Sequence, residues 1–118
     1  MHVDESREMY LKTILLLTQA SDFVRSVDVA NKLNYSKPSV SRAVKNLVLD
    51  GSIEVLDDGN IVLLPEGLKE AEEVKEKHQI IKNVFIKYLN LDEEIADKDA
   101  CRIEHVISEE TFAALKKL

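Results

Sequence analysis

Three side-chain types that bind metals lie within five residues near the C-terminal end of the sequence. A thiol at Cys101, a carboxylate at Glu104 and an imidazole at His105 occupy positions i, i+3 and i+4. If this segment is helical, all three project from one face of a single turn. Sulfur, oxygen and nitrogen donors together suit a divalent transition metal. The spacing therefore predicts part of a metal site, which needs a further ligand from elsewhere in the chain.

Two other residues are candidates for completing this site. Met9 lies in the first predicted helix, off its main apolar stripe, and a thioether suits the same softer metals as a thiolate. His78 lies in register with the apolar stripe of a long helix, so it must be hydrogen-bonded or metal-bound. Each candidate also has a structural explanation: core residues at Met9 and His78, a small buried residue at Cys101, a solvated acid at Glu104 and a surface or satisfied histidine at His105.

Local patterns in the first half of the chain predict three helices and a hairpin. Apolar spacing predicts helices over residues 5–20, 27–33 and 36–49, and two β-prone runs, residues 52–56 and 60–64, flank a turn signal. Supporting signals are N-cap candidates at Ser26 and Ser36, a turn residue at Asn34, and Pro38 in a first helical turn.

The second half of the chain is predicted to be helical. Helices are expected over residues 66–89, 99–107 and 109–117, with a further short helix over 92–95 and Ser108 as an N-cap. We therefore predict a mainly α fold, with a winged helix-turn-helix domain over 1–65 and a short all-helical domain over 66–118. The stripe of the long helix suggests burial against a second subunit; its members are Leu68, Ala71, Val74, His78, Ile81, Phe85 and Tyr88.

The helix that follows the Asn34 turn is the predicted recognition helix of a DNA-binding domain. Residues 23–49 carry five basic residues and one acid, whereas 91–110 carry two basic residues and eight acids, although the net charge of the chain is −6. This basic segment favours duplex DNA as a partner. The expected base contacts are Ser36, Lys37, Pro38, Ser39 and Arg42, and the expected phosphate contacts are Ser41 and Lys45.

Composition bounds the remaining possibilities. The 118 residues include one cysteine, no apolar run long enough to span a membrane, and no signal-peptide pattern at the N-terminus. We expect a cytoplasmic protein with no membrane association and a reduced thiol that is able to bind metal. We expect no enzymatic activity, because we find no phosphate loop, cofactor fingerprint or marked substrate pocket around the Cys101/His105 pair.

Three segments resemble the diphtheria toxin repressor (DtxR/IdeR/MntR) family of metal-dependent transcriptional repressors, in a form that lacks the SH3-like domain. Residues 8–14 resemble the first helix of the family, residues 36–41 its recognition helix, and residues 100–108 its metal-binding helix. The resemblance implies a homodimer in which a divalent metal ties the first helix to the dimerisation domain. It also implies that Met9, Cys101, Glu104 and His105 hold this metal, and it matches His78 to a ligand of an ancillary or second metal.

This chain departs from the family pattern at a few positions. The iron-responsive branch has an acid at the position of Lys82 and a histidine at that of Asp97, and the manganese branch has an acid where Lys12 stands. These departures leave open whether there are one or two metal sites. The Met9/Cys101 pair is similar to the iron branch, so Fe(II) is the favoured metal, while Mn(II), Co(II), Ni(II) and Zn(II) are alternatives.

The expected function is a metal-dependent repressor that controls metal-ion homeostasis genes, for iron or manganese. A dimer would set the spacing of two recognition helices on a pseudo-palindromic operator. The main alternative is a metal-independent winged-helix regulator in which Cys101 senses oxidation. A further alternative is an interaction module that uses the acidic C-terminal half and binds no DNA.

Overall fold

The computed structural model describes residues 3–118, with side chains from Glu5 onward. The chain divides into two compact units, residues 1–72 and 73–118. The predicted order of helices, hairpin and helices is confirmed. The elements are α1 (Val3–Ala20), α2 (Ser26–Leu33), α3 (Lys37–Leu49), β1 (Ile53–Val55), β2 (Ile61–Leu63), α4 (Pro65–Leu89), α5 (Glu93–Ile103) and α6 (Glu109–Lys116).

The core of the first unit lies between α1, α2, α3 and the hairpin. Strands β1 and β2 pair antiparallel, with Ile53 opposite Leu63 and Val55 opposite Ile61. Ile53 and Ile61 are each 1% exposed and belong to the core of this unit. They join fully buried aliphatic side chains from the helices, among them Leu11, Ile14, Val29 and Val40.

The turn between α2 and α3 forms for the local reasons that the sequence predicts. Asn34 adopts the left-handed conformation (φ 59°, ψ 42°), which asparagine tolerates better than most residues. Ser36 is the N-cap of α3, and its hydroxyl accepts the backbone N–H of Ser39 at 3.3 Å. At α2 the prediction was wrong, because Ser26 is the first helical residue and Arg25 is the N-cap. The Asp28 carboxylate accepts the Arg25 backbone N–H at 2.8 Å, which stabilises this helix start.

One arginine joins four parts of the first unit. Arg7 on α1 donates from Nε to Glu70 on α4 at 3.0 Å and from Nη2 to the Ser52 hydroxyl at 2.6 Å. Its Nη1 forms an ion pair with Asp50, the C-cap of α3. A planar guanidinium suits this arrangement because its donors point in fixed directions. Arg7 therefore connects the first turns of α4 to the helix-turn-helix.

In the second unit, the prediction of two short helices over 92–95 and 99–107 was wrong. One helix, α5, runs from Glu93 to Ile103 without a break, since residues 95–99 contain no glycine or proline that would end it. Asp92 is its N-cap and accepts the backbone N–H of Glu94 at 3.1 Å. Ser108 caps α6, as predicted.

Within the single chain, the apolar stripe of α4 is buried at some positions and exposed at others, and its predicted burial against a second subunit stays a prediction. Ala71, Val74 and Ile81 are buried, whereas Leu68 and Tyr88 are 37% and 49% exposed. In the range 3–118, none of the helices combines the length and the apolar character needed to cross a membrane.

Candidate metal centre and nucleic-acid interface

A buried carboxylate between two imidazoles is the main feature of the second unit. Glu104 is 1% exposed, and its two oxygens face different histidines. Its Oε1 lies 2.8 Å from Nδ1 of His78, and its Oε2 lies 3.2 Å from Nε2 of His105. A buried carboxylate needs such partners because its charge has left water. The structure therefore brings together three of the five predicted metal ligands, and one of them, His78, comes from a different helix.

The end of α5 positions Glu104 and His105. The helix ends at Ile103, so these two residues lie in the C-cap and the turn that follows, not within a helix over 99–107 as predicted. Glu104 keeps helical dihedral angles (φ −55°, ψ −26°) and donates its backbone N–H to the carbonyl of Ala100 at 2.9 Å. Cys101 lies one turn earlier and is half-buried. The i, i+3 relation between Cys101 and Glu104 is therefore preserved.

The second nitrogen of His78 faces another carboxylate. His78 Nε2 lies 2.8 Å from Oδ1 of Asp97, and Lys82 Nζ lies 3.5 Å from the same oxygen. The hydrogen bond from His78, with the nearby charge of Lys82, lowers the pKa of Asp97 from its ordinary value of 3.8, despite an opposing effect of partial burial. Asp97 entered the sequence-based reasoning only as a departure from a family pattern. Its contact with His78 spans 19 positions, so no local signal could have revealed it.

The donor chemistry of this cluster fits a divalent transition metal. Imidazole nitrogen, carboxylate oxygen and a nearby thiol are established ligands of such ions. Within the described residues, however, no group of three or more His, Cys, Asp or Glu side chains is arranged to hold a metal ion. The histidines instead contact Glu104 directly. Metal binding here would require these side chains to give up direct contacts and turn their donor atoms toward a common point.

Met9, the remaining predicted ligand, lies on α1 in the first unit and is half-buried. The same helix contains Lys12, which is 6% exposed, and Thr13, which is 3% exposed. Within its own unit Met9 therefore lies beside a buried polar stretch of α1.

The predicted DNA-contacting residues lie at the N-terminal end of α3. Side-chain hydrogen bonds order this end: the Ser36 hydroxyl lies 2.9 Å from that of Ser39, and Nη2 of Arg42 lies 3.5 Å from the same Ser39 oxygen. Ser39 is half-buried and mainly supports the helix start. The other six predicted residues are exposed and available to a duplex: Ser36, Lys37, Pro38, Ser41, Arg42 and Lys45.

Arg25 is a candidate DNA contact that the sequence-based prediction missed. Its guanidinium carbon lies 4.6 Å from the centre of the Phe23 ring, a cation–π arrangement. A side chain at Gly59, in the hairpin turn, would come within 3.9 Å of the aliphatic part of Arg25. Arg25 therefore places a positive charge beside the turn between β1 and β2, here called the wing turn. The sequence of that turn has only the negative charges of Asp57 and Asp58. In the sequence Arg25 is one of the five basic residues of 23–49. Its position near Gly59, 34 residues later, depends on the packing of the hairpin, so no local signal could have revealed it.

Comparison with known proteins supports both halves of this description. Residues 2–59 match the family described as iron dependent repressor, N-terminal DNA binding domain. Residues 64–118 match the family described as iron dependent repressor, metal binding and dimerisation domain.

Individual relatives cover nearly the whole chain. The transcriptional regulator MntR of Escherichia coli O6:H1 is 37% identical over 115 residues, which cover 98% of this chain and 74% of that protein. The diphtheria toxin repressor of Corynebacterium glutamicum is 33% identical over 106 residues, covering 90% of this chain and 46% of that protein. A solved structure of the manganese regulator SloR superposes with a TM-score of 0.83 at 27% identity, covering 94% of this chain and 52% of that one. The chain thus spans about half the length of that solved structure.

Proposed function

Because the chain belongs to the iron-dependent repressor family, we propose that it represses transcription by binding duplex DNA when a divalent transition metal is bound. The observation that carries this proposal is the buried Glu104 carboxylate between His78 and His105, in a chain whose other unit presents an exposed basic recognition helix. The buried carboxylate suits a metal cation, and the basic helix suits the phosphates of DNA. A protein that combines them can make DNA binding depend on metal supply.

The proposed ligand set is the one expected from the sequence: Met9, Cys101, Glu104, His105 and His78. Glu104 is its central member, since each of its oxygens already faces one of the two imidazoles. When bound, the metal would supply a positive charge that links the groups holding it. The Met9/Cys101 pair resembles the iron-responsive branch of the family, which favours Fe(II); the Irving–Williams order predicts that Co(II), Ni(II) and Zn(II) also bind in vitro, with Mn(II) weaker.

The proposed DNA contacts divide by chemistry. We propose that Arg42 pairs with a guanine edge, because a guanidinium can donate two parallel hydrogen bonds. We propose that Ser41 and Lys45 contact phosphates, as expected from the sequence. To this group we add Arg25, beside the wing turn, and Lys37, which the sequence had assigned to a base edge. Phosphate contacts set the register and affinity, whereas base contacts set the preferred sequence.

A homodimer fits the exposed apolar side chains of the second unit. Tyr88, Leu89 and Ile95 are 49%, 60% and 51% exposed, although each is large and apolar. Burial of such a face against a second copy would create a two-fold symmetric protein with two recognition helices. The matching operator would be pseudo-palindromic, with half-sites about one helical turn apart or a multiple of it.

A metal-dependent DNA-binding assay tests this proposal. A duplex is first selected from a random pool with protein that has been loaded with Fe(II) in the absence of oxygen. Its affinity is then measured for metal-loaded and chelated protein, together with metal content by elemental analysis. We expect tight binding only with metal, and a loss of both metal and DNA affinity of at least about 10-fold in Glu104→Gln.

Two further variants make the result specific. Glu110→Gln removes an exposed acid from α6 and serves as the matched control that should behave like wild type. Cys101→Ser changes a half-buried ligand and remains informative if Glu104→Gln fails to fold. Equal DNA affinity of metal-loaded and chelated wild-type protein would refute the proposal. DNA binding that responds to peroxide but not to a chelator would point instead to Cys101 as a redox sensor.

A further inference from the structure

A lysine ammonium lies among the carboxylates next to His78. Asp92, Glu93, Glu94 and Asp97 line an acidic pocket between α4 and the first turns of α5, and Lys82 is its only basic lining residue in the part of the chain that the structure describes. Lys82 Nζ lies 3.4 Å from Oε1 of Glu93 and 3.5 Å from Oδ1 of Asp97. The lysine side chain is only 20% exposed, whereas the two carboxylate side chains are 79% and 51% exposed. Most of the lysine side chain is therefore buried, and its ammonium reaches the two more exposed carboxylates.

The groups around this ammonium are ones that a divalent cation would also use. Asp97 Oδ1 contacts both Lys82 Nζ and His78 Nε2, so a carboxylate oxygen and an imidazole nitrogen already meet at one place. Glu93 adds a second carboxylate from the same side of α5. Carboxylates and imidazole are common ligands of divalent transition metals. The pocket differs from a metal site in two respects: among the described residues its carboxylates and imidazole are not arranged around a common point, and a positive charge already lies between them.

We propose that Lys82 is the resident cation of this pocket and restricts the second unit to a single bound metal. This inference rests on the proposed function, since it concerns the number of metals that the unit holds. A divalent ion coordinated by Asp97, Glu93 and His78 would lie within a few ångströms of the ammonium, and like charges at that distance repel each other even where water screens them in part. Lys82 balances the two carboxylates instead, and it leaves His78 oriented toward Glu104 through its other nitrogen.

Lys98 offers a matched control for this proposal. It carries the same charge and pairs with Glu94, another residue of the pocket, at 3.2 Å. Its side chain, however, is 72% exposed, and the pair is a surface contact between positions i and i+4 of α5. Removal of either lysine changes the net charge equally. Only the loss of Lys82 should open the place beside Asp97 and His78.

Counting bound Mn(II) on the full chain tests the inference. Wild type, Lys82→Gln, Lys98→Gln and the double variant Lys82→Gln/Asp97→Asn are titrated at neutral pH, and free Mn(II) is followed by electron paramagnetic resonance. We expect one ion per chain for wild type and Lys98→Gln, two for Lys82→Gln, and one again for the double variant. Circular dichroism confirms that all four proteins are folded.

The outcomes separate this inference from the proposed function. If Lys82→Gln binds no more Mn(II) than wild type, the inference is wrong. It is equally wrong if Lys98→Gln gains the same ion or if the double variant keeps it. If wild type binds no Mn(II), the inference is judged by whether Lys82→Gln binds one ion more than wild type, whereas the proposed function is judged separately by the DNA-binding assay with Fe(II).

Discussion

The positive charge of the proposed DNA-binding surface should be measurable as a salt dependence of DNA binding. Three exposed cations of the first unit are our proposed phosphate contacts, namely Arg25, Lys37 and Lys45. Two subunits then neutralise about six phosphates, and the slope of log Kobs against log[salt] should be about −5. We predict that Lys45→Gln removes one contact per subunit and reduces the slope to about −3.5. Between about 50 and about 200 mM salt, affinity should fall about 1000-fold for wild type and about 100-fold for the variant.

The assay needs no knowledge of the operator, because phosphate contacts are independent of sequence. Fluorescence anisotropy with a random-sequence duplex and metal-loaded protein gives the slope directly. Lys69→Gln is the matched control, since Lys69 is an exposed lysine of the same unit that lies on α4 and outside the recognition helix. An unchanged slope in Lys45→Gln, or an equal change in Lys69→Gln, would show that α3 does not face the phosphates as we infer.

Two further predictions concern the stability of the first unit. Gly67→Ala should destabilise this unit by about 1–3 kcal/mol in urea unfolding, although alanine is the better helix former. The reason is that the new Cβ would overlap the Ser52 carbonyl oxygen and lie 2.9 Å from the carbonyl carbon. Unchanged or increased stability would contradict this packing. Asp50→Asn should destabilise the unit at pH 7 but not at strongly acidic pH. Although partial burial opposes it, hydrogen bonds from Ser52 and Arg7 lower the pKa of Asp50 from its ordinary value of 3.8, so this stabilisation is complete above that value and is lost as pH falls through the lower pKa of the folded state. Asp57→Asn, in the exposed wing turn, is the control, and an Asp50→Asn effect that persists in acid would show that the carboxylate charge is not its cause.

The helix-turn-helix could be predicted because its determinants are local. The left-handed Asn34, the Ser36 cap and Pro38 in the first turn lie within five residues, and each acts on the backbone next to it. The hairpin is similar, since Gly59 supplies the positive φ of 90° that the turn between the strands requires. At α2 local reasoning failed: the Asp28 carboxylate accepts the Arg25 backbone N–H, so the N-cap is Arg25, one residue before the predicted Ser26.

The structure of residues 92–107 was harder to predict, because local preferences there are weak. Polar residues 97–99 suggested a break, but the buried positions Ala96 and Ala100 lie four residues apart and keep α5 continuous. The helix then ends before His105, so the three candidate ligands span a helix end. Spacing alone could not distinguish a helix that continues through His105 from one that ends at Ile103, since the turn after Ile103 retains helical geometry at Glu104.

The partners of Glu104 show why the metal centre could be predicted only in part. Residues 101, 104 and 105 lie within one turn, so their proximity follows from the spacing if the backbone is helical. The distance of 2.8 Å between His78 and Glu104 depends instead on how α4 packs against α5, and the two residues are 26 positions apart. The period of α4 indicated correctly that His78 lies on a partly buried face, but it could not identify the opposing residue. The same packing brings Asp97 and Lys82 to the other nitrogen of His78. Because that imidazole contacts both Asp97 and Glu104, only the packing of α4 against α5 could identify its partners.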